Sequence, residues 1–115
     1  MFNIPHSTKI IVFTRPIDMR KGFNGLYALV KDELDADPLS GWLFVFTNKG
    51  RNRVKILHWD GSGLWVFAKR LEEGRFSWPV SASGGIQLQI EPAAVSMLLS
   101  GIDLKQGFKK AWYEA

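Results

Sequence analysis

Trp42-Leu43-Phe44-Val45-Phe46 is apolar at five successive positions. Successive side chains of a strand point to opposite faces, so such a run leaves no face for water. It must be a well-buried strand, and the rest of the chain has to supply its cover. Asn48-Lys49-Gly50-Arg51-Asn52 follows as a turn, because Asn and Gly tolerate positive φ. Arg53 to Trp59 then returns as an alternating strand. Val54, Ile56 and His58 face one way; Arg51, Arg53 and Lys55 face the other, which continues into Leu57 and Trp59.

Around this hairpin the pattern predicts further elements. Lys9 to Thr14 is rich in β-branched residues and ends at Pro16, the mark of a strand. Asp18 stands where a helix N-cap would, and Phe23, Leu26, Tyr27, Val30 and Leu34 form one helical stripe closed by Pro38 and Gly41. Asp60-Gly61-Ser62-Gly63 is a second turn, leading to a strand over Leu64–Ala68. Arg75 to Trp78 reads as a short extended piece, and Ile86 to Ile90 as an alternating strand. Pro92 suits the first position of a short helix over Ala93–Ser100, stopped by Gly101. Phe108, Trp112 and Tyr113 are placed to dock a final helical turn. The expected fold is α+β: one domain over residues 1–115, with a mainly antiparallel sheet of about five strands and an N-terminal and a C-terminal helix packed against it. A chain of this length can bury about two-thirds of its unfolded surface, enough for a real core.

Charge is concentrated. Residues 1–47 and 80–115 each balance to zero, so the whole net charge of +4 falls between residues 48 and 79. Seven basic side chains stand there, Lys49, Arg51, Arg53, Lys55, Lys69, Arg70 and Arg75, against Asp60, Glu72 and Glu73. Basic residues about 6.6 Å apart along one strand face can follow a phosphate backbone. The plain alternative is a solvated hairpin whose charges discourage edge pairing. Trp59, Trp65 and Phe67 lie beside the basic residues; they serve either to stack on bases or, more simply, to fill the core.

Catalytic chemistry finds little footing. The chain has no cysteine, which excludes disulfides, thiolate nucleophiles and Cys-zinc sites. A two-metal nuclease needs clustered carboxylates, yet Asp18 suits a cap, Asp60 a turn, and Glu72-Glu73 a solvated loop. His6 and His58 are too far apart in sequence to suggest a metal pair, and His58 shares a face with Val54 and Ile56. No metal, cofactor or catalytic residue is expected. No secretory leader or apolar run long enough for a membrane helix is visible, so a soluble, cytoplasmic protein without a membrane partner is expected.

Asp18-Met19-Arg20-Lys21-Gly22-Phe23-Asn24-Gly25-Leu26 resembles a motif of the accessory (TnpB-type) proteins of insertion-sequence sixty-six transposable elements. These are unrelated to the RNA-guided nuclease that shares the name. The likeness continues through Asp37–Gly41, Leu43–Phe46, Arg53–Leu57, Trp59-Asp60-Gly61-Ser62-Gly63-Leu64, Phe67–Pro79 and Leu98–Asp103, nearly the whole chain. Two departures are His58, where an aromatic is frequent, and Asn24, where Asp is usual. The resemblance implies a helper in transposition, encoded beside a separate transposase that carries the acidic catalytic residues. The expected function is that of a non-enzymatic accessory protein that binds element-end DNA through the basic hairpin. The alternative is a module that docks on the transposase or another element-encoded protein through its aromatic residues, five of them Trp. Gly22 and Gly25 are expected to allow close packing within the motif.

Overall fold

A computed structural model describes residues 8–101. Five strands form one sheet: β1 (Ile10–Phe13), β2 (Leu43–Thr47), β3 (Arg53–Trp59), β4 (Leu64–Arg70) and β5 (Gln87–Ile90), in the spatial order β4-β3-β2-β1-β5. Three of the four pairings are antiparallel. β1 and β2 run parallel, Ile11 beside Phe44, because a helical crossover joins them. The sheet is therefore mixed: mainly antiparallel, as the sequence suggested, with one parallel pair that it did not suggest.

β2 is central and buried at every position. Its alternation divides the core in two. Leu43 and Val45 join Ile10, Val12, Val54, Ile56 and Ile90 on one face, under helix α2 (Pro92–Ser100), which contributes Val95 and Leu98. Phe44 and Phe46 join Ile11, Phe13 and Leu57 on the other face, under Leu26, Val30 and Leu34. The apolar run of β2 has cover on both sides, as its composition requires.

The helix over the second face differs from expectation. No regular helix runs from an Asp18 cap to Leu34. A six-residue α1 (Phe23–Ala28) starts at Gly22 and widens into a π-helical turn over Leu29–Glu33, closed by the Leu34 N–H donating to the Leu29 carbonyl at 3.1 Å. Asp35, at φ 51°, ends it. Asp18 is held one turn earlier, where the Lys21 N–H donates to its carbonyl at 3.1 Å.

Arg75–Trp78 is likewise not a strand. Phe76 and Trp78 point inward as a strand's alternate residues would, and both are buried. They do so from an irregular segment without a ladder partner, anchored by the Phe76 N–H on the Arg51 carbonyl (2.6 Å) and the Trp78 indole N–H on the Phe13 carbonyl (3.0 Å). At the end of α2, Gly101 takes φ 74° and packs against Leu71. The expected terminal docking segment around Phe108, Trp112 and Tyr113, and His6, lie outside the described residues.

Candidate nucleic-acid interface

The β2–β3 turn is built by two asparagines. The Asn48 side-chain oxygen accepts the backbone N–H groups of Asn52 and Arg53, both at 3.1 Å, and its amide donates to the Asn52 side-chain oxygen at 2.7 Å. This tight knot puts the left-handed conformation on Arg51, at φ 55°, and not on an asparagine or Gly50. A side chain there costs about 1–2 kcal/mol, so the turn holds Arg51 against its own backbone preference.

Two backbone links then gather the basic residues at one corner of the sheet. The Leu71 N–H donates to the Asn52 carbonyl (2.8 Å), fastening the end of β4 to the turn. The Phe76 N–H bond to Arg51 brings the loop carrying Arg75 to the same place. Arg53 lies directly opposite Arg70 across β3 and β4. Lys49, Arg51, Arg53, Arg70 and Arg75 are all exposed. Glu72 accepts from the Arg70 guanidinium at 3.1 Å in an open ion pair, which contributes little to stability.

The other two basic candidates, half-buried Lys55 and exposed Lys69, bond backbone carbonyls. The Lys55 ammonium donates to the carbonyls of Met19 (2.7 Å) and Lys21 (2.8 Å). Lys69 donates to the Leu99 carbonyl near the end of α2 at 2.5 Å, a favourable place for a cation. Lys55 therefore works as a clasp. It joins the basic hairpin to the Asp18–Phe23 loop, and a shallow groove of about 450 Å³ between them is lined by Met19, Arg53, Lys55, Ala68, Arg70 and Glu72. Sequence reading missed this joint; the parity that puts Lys55 on the face of Leu57 was its available signal.

Within the loop, Asp18 is not a cap. Its carboxylate accepts the Arg20 backbone N–H (2.9 Å) and the Arg20 guanidinium (2.7 Å at the shortest), which together lower its pKa to about 2. Gly25 is tightly approached, since a Cβ there would sit 2.9 Å from the Lys21 Cβ, whereas Gly22 faces open space. Close packing explains Gly25 but not Gly22. Phe23 is exposed, and Lys21 half-buried.

Asp60 sits at the opposite end of β3. One of its oxygens accepts the N–H groups of Ser62 (2.8 Å) and Gly63 (2.9 Å) and the Ser62 hydroxyl (2.9 Å), while the other accepts the Trp65 indole N–H (2.7 Å). The indole bond leads these in holding the carboxyl far below its usual range. Gly61 supplies the positive φ of this turn, 98°, and Trp59 is half-buried beside it. Trp65 is not core: it is 51% exposed and stacks on half-buried Phe67 with ring centroids 5.6 Å apart. Half-buried His58 lies opposite both Leu43 and Trp65. Among the described residues no three His, Asp or Glu side chains converge as a metal site would require, and no helix is long and apolar enough to cross a membrane.

Residues 8–109 match the family model described as IS66 Orf2 like protein. Two proteins of Sinorhizobium fredii are similar over most of their length. The uncharacterized protein y4jC is 43% identical over 95 residues, which is 83% of this chain and 80% of the relative. The uncharacterized protein y4hO is 44% identical over 97 residues, 84% of this chain and 83% of the relative. No solved structure matches at a significant level.

Proposed function

The chain belongs to the IS66 Orf2-like family of insertion-sequence proteins, and from that premise we propose that it is a non-catalytic accessory factor that holds element DNA at the basic corner of its sheet. The observation that carries this is the gathering of Lys49, Arg51, Arg53, Arg70 and Arg75, all exposed, by the Asn52–Leu71 and Arg51–Phe76 backbone links. Binding phosphate is their natural use, because each cation that neutralises a phosphate releases a condensed counterion. Such contacts position a duplex without reading its bases. The strained backbone of Arg51 fits a residue kept for its side chain. Lys55 and Lys69 support this surface by holding the motif loop and α2, while their ammonium groups serve neighbouring carbonyls. The motif residues Asp18, Met19, Arg20, Lys21, Gly22 and Phe23 form its flank.

The test is fluorescence anisotropy with labelled element-end duplex and a scrambled duplex of equal length, over a salt series. The wild type should show affinity falling steeply with salt. The triple change Lys49→Gln, Arg51→Gln, Arg53→Gln should make the log–log slope shallower by roughly three, about one for each phosphate that is no longer neutralised. An unaltered slope and affinity in the folded triple variant would sink the proposal and leave docking on the transposase as the reading to pursue.

A further inference from the structure

The two edges of the sheet differ. β5 is a four-residue edge, whereas β4 is seven residues long, and Trp65, Ala68, Lys69 and Arg70 on it are exposed. Among the described residues no strand lies outside β4. We propose that β4 is the pairing edge of a two-fold dimer. Two copies join antiparallel about Phe67, making one ten-stranded sheet.

Hydrogen-bond phase sets the geometry. The Leu71 N–H bonds the Asn52 carbonyl and the Asp60 N–H bonds the Gly63 carbonyl, so the odd-numbered residues of β4 pair inward with β3. Leu64, Val66, Ala68 and Arg70 therefore aim their N–H and carbonyl groups at the open side. A second copy centred on Phe67 meets this phase: Val66 of one copy faces Ala68 of the other and exchanges both hydrogen bonds. Leu64 faces Arg70 in the same manner.

The side chains agree with that register. Lys69 falls opposite the other copy's exposed Trp65. Its ammonium bonds the Leu99 carbonyl of its own copy, and its apolar stem lies beside that indole. The Asp60 carboxylate on the same indole N–H (2.7 Å) adds an opposite charge. Lys69 and Arg70 ordinarily blunt an edge strand. Here they face Trp65 and Leu64, and like charges meet only if the pair slides until its centre reaches Lys69. The two cations thus exclude registers centred on Lys69 or Arg70. A nucleic-acid strand is a poorer occupant of this edge, because Asp60 stands beside the exposed indole and repels phosphate.

Sedimentation and light scattering over a concentration series test the dimer. The wild type should move from 13.0 kDa towards twice that mass. Ala68→Pro removes an outward N–H, a change edge strands tolerate, and should stay monomeric with an unchanged circular-dichroism spectrum. Single cysteines test the register, because the chain has no other thiol. Phe67→Cys places two thiols across a pair whose Cα atoms are about 4.5 Å apart, within disulfide reach. Ala68→Cys leaves them roughly 9 Å apart, so it should cross-link far more slowly. A wild type that remains 13.0 kDa up to about 1 mM, a folded Ala68→Pro that dimerises equally well, or equal cross-linking at the two positions overturns the proposal. If Ala68→Pro fails to fold, the cysteine pair decides alone.

Discussion

Lys55→Met removes the ammonium that clasps the motif loop to the sheet while leaving most of the apolar stem in place. Two carbonyls, those of Met19 and Lys21, lose a charged donor held at 2.7 and 2.8 Å. Hydrogen bonds to charged groups contribute about 1.5–3 kcal/mol each when dry. Lys55 is only half-buried, so water takes over part of both bonds. About 2 kcal/mol for the pair is the expected loss. With a urea m-value near 1.5 kcal/mol/M, the midpoint should fall by roughly 1.3 M. Arg53→Met is the matched control: it lies two residues away on the same strand face but is exposed, and should change stability by less than about 0.5 kcal/mol. Trypsin supplies a local readout, because Arg20 and Lys21 lie in the loop that Lys55 holds. Cleavage there should accelerate in Lys55→Met and not in Arg53→Met. Equal midpoint shifts in the two variants, or unchanged cleavage, would refute the clasp.

Two further outcomes follow from local geometry. Arg51→Gly relieves a side chain at φ 55° at the cost of a more flexible unfolded chain, so thermal unfolding should change by less than about 1 kcal/mol in either direction, while DNA affinity weakens; unaltered affinity would mean that the arginine is not retained for phosphate. Asp60 titrates below its usual value because the Trp65 indole N–H, the Ser62 backbone and hydroxyl and the Gly63 N–H favour its charged form. Its contribution is complete above the unfolded value near pH 4 and is lost as pH falls through the folded one. Asp60→Asn should therefore lower the melting temperature at neutral pH and flatten its decline below about pH 4; a decline as steep as that of the wild type would argue against Asp60 as its source.

Strands were legible where periodicity was strict. The range Arg53–Trp59 could be read because Arg53 to Ile56 alternates strictly before the apolar Ile56-Leu57 step, and Leu43–Thr47 because it is buried at every position. Misreadings came where one signal serves two structures. Phe76 and Trp78 alternate as in a strand, yet a buried irregular loop with Gly74 at φ 76° and buried Pro79 uses the same spacing. The stripe Leu26–Val30–Leu34 reports which face is buried but is blind to helix type, so the π-helical turn left no mark. Parallel pairing of β1 with β2 was hidden because pattern describes faces and not neighbours. In the turn, composition identified Asn48, Gly50 and Asn52 as permissive, but the asparagine side chains are spent on backbone N–H groups and Arg51 takes the positive φ.

The basic residues show why a charge count cannot define a site by itself. Seven cations share one segment, but two of them are engaged by backbone: half-buried Lys55 and exposed Lys69 project from β3 and β4 onto opposite faces of the sheet, where neighbouring carbonyls accept from their ammonium groups. Strand parity sends Lys55 and Lys69 to opposite faces, but it does not separate Lys55 from Arg53, which shares its face and stays exposed. What parity could not supply was the identity of the captured group. Because Lys55 reaches Met19 and Lys21, the sequence signature around Asp18 and the basic hairpin more than thirty residues later become one surface. The exposed Arg20, held by Asp18 on that same loop, extends this surface away from the corner. Under the proposed function, the motif positions rather than catalyses. Its carboxylate is occupied by an adjacent guanidinium, its two flanking carbonyls by an ammonium, and its aromatic Phe23 stands exposed at the start of α1.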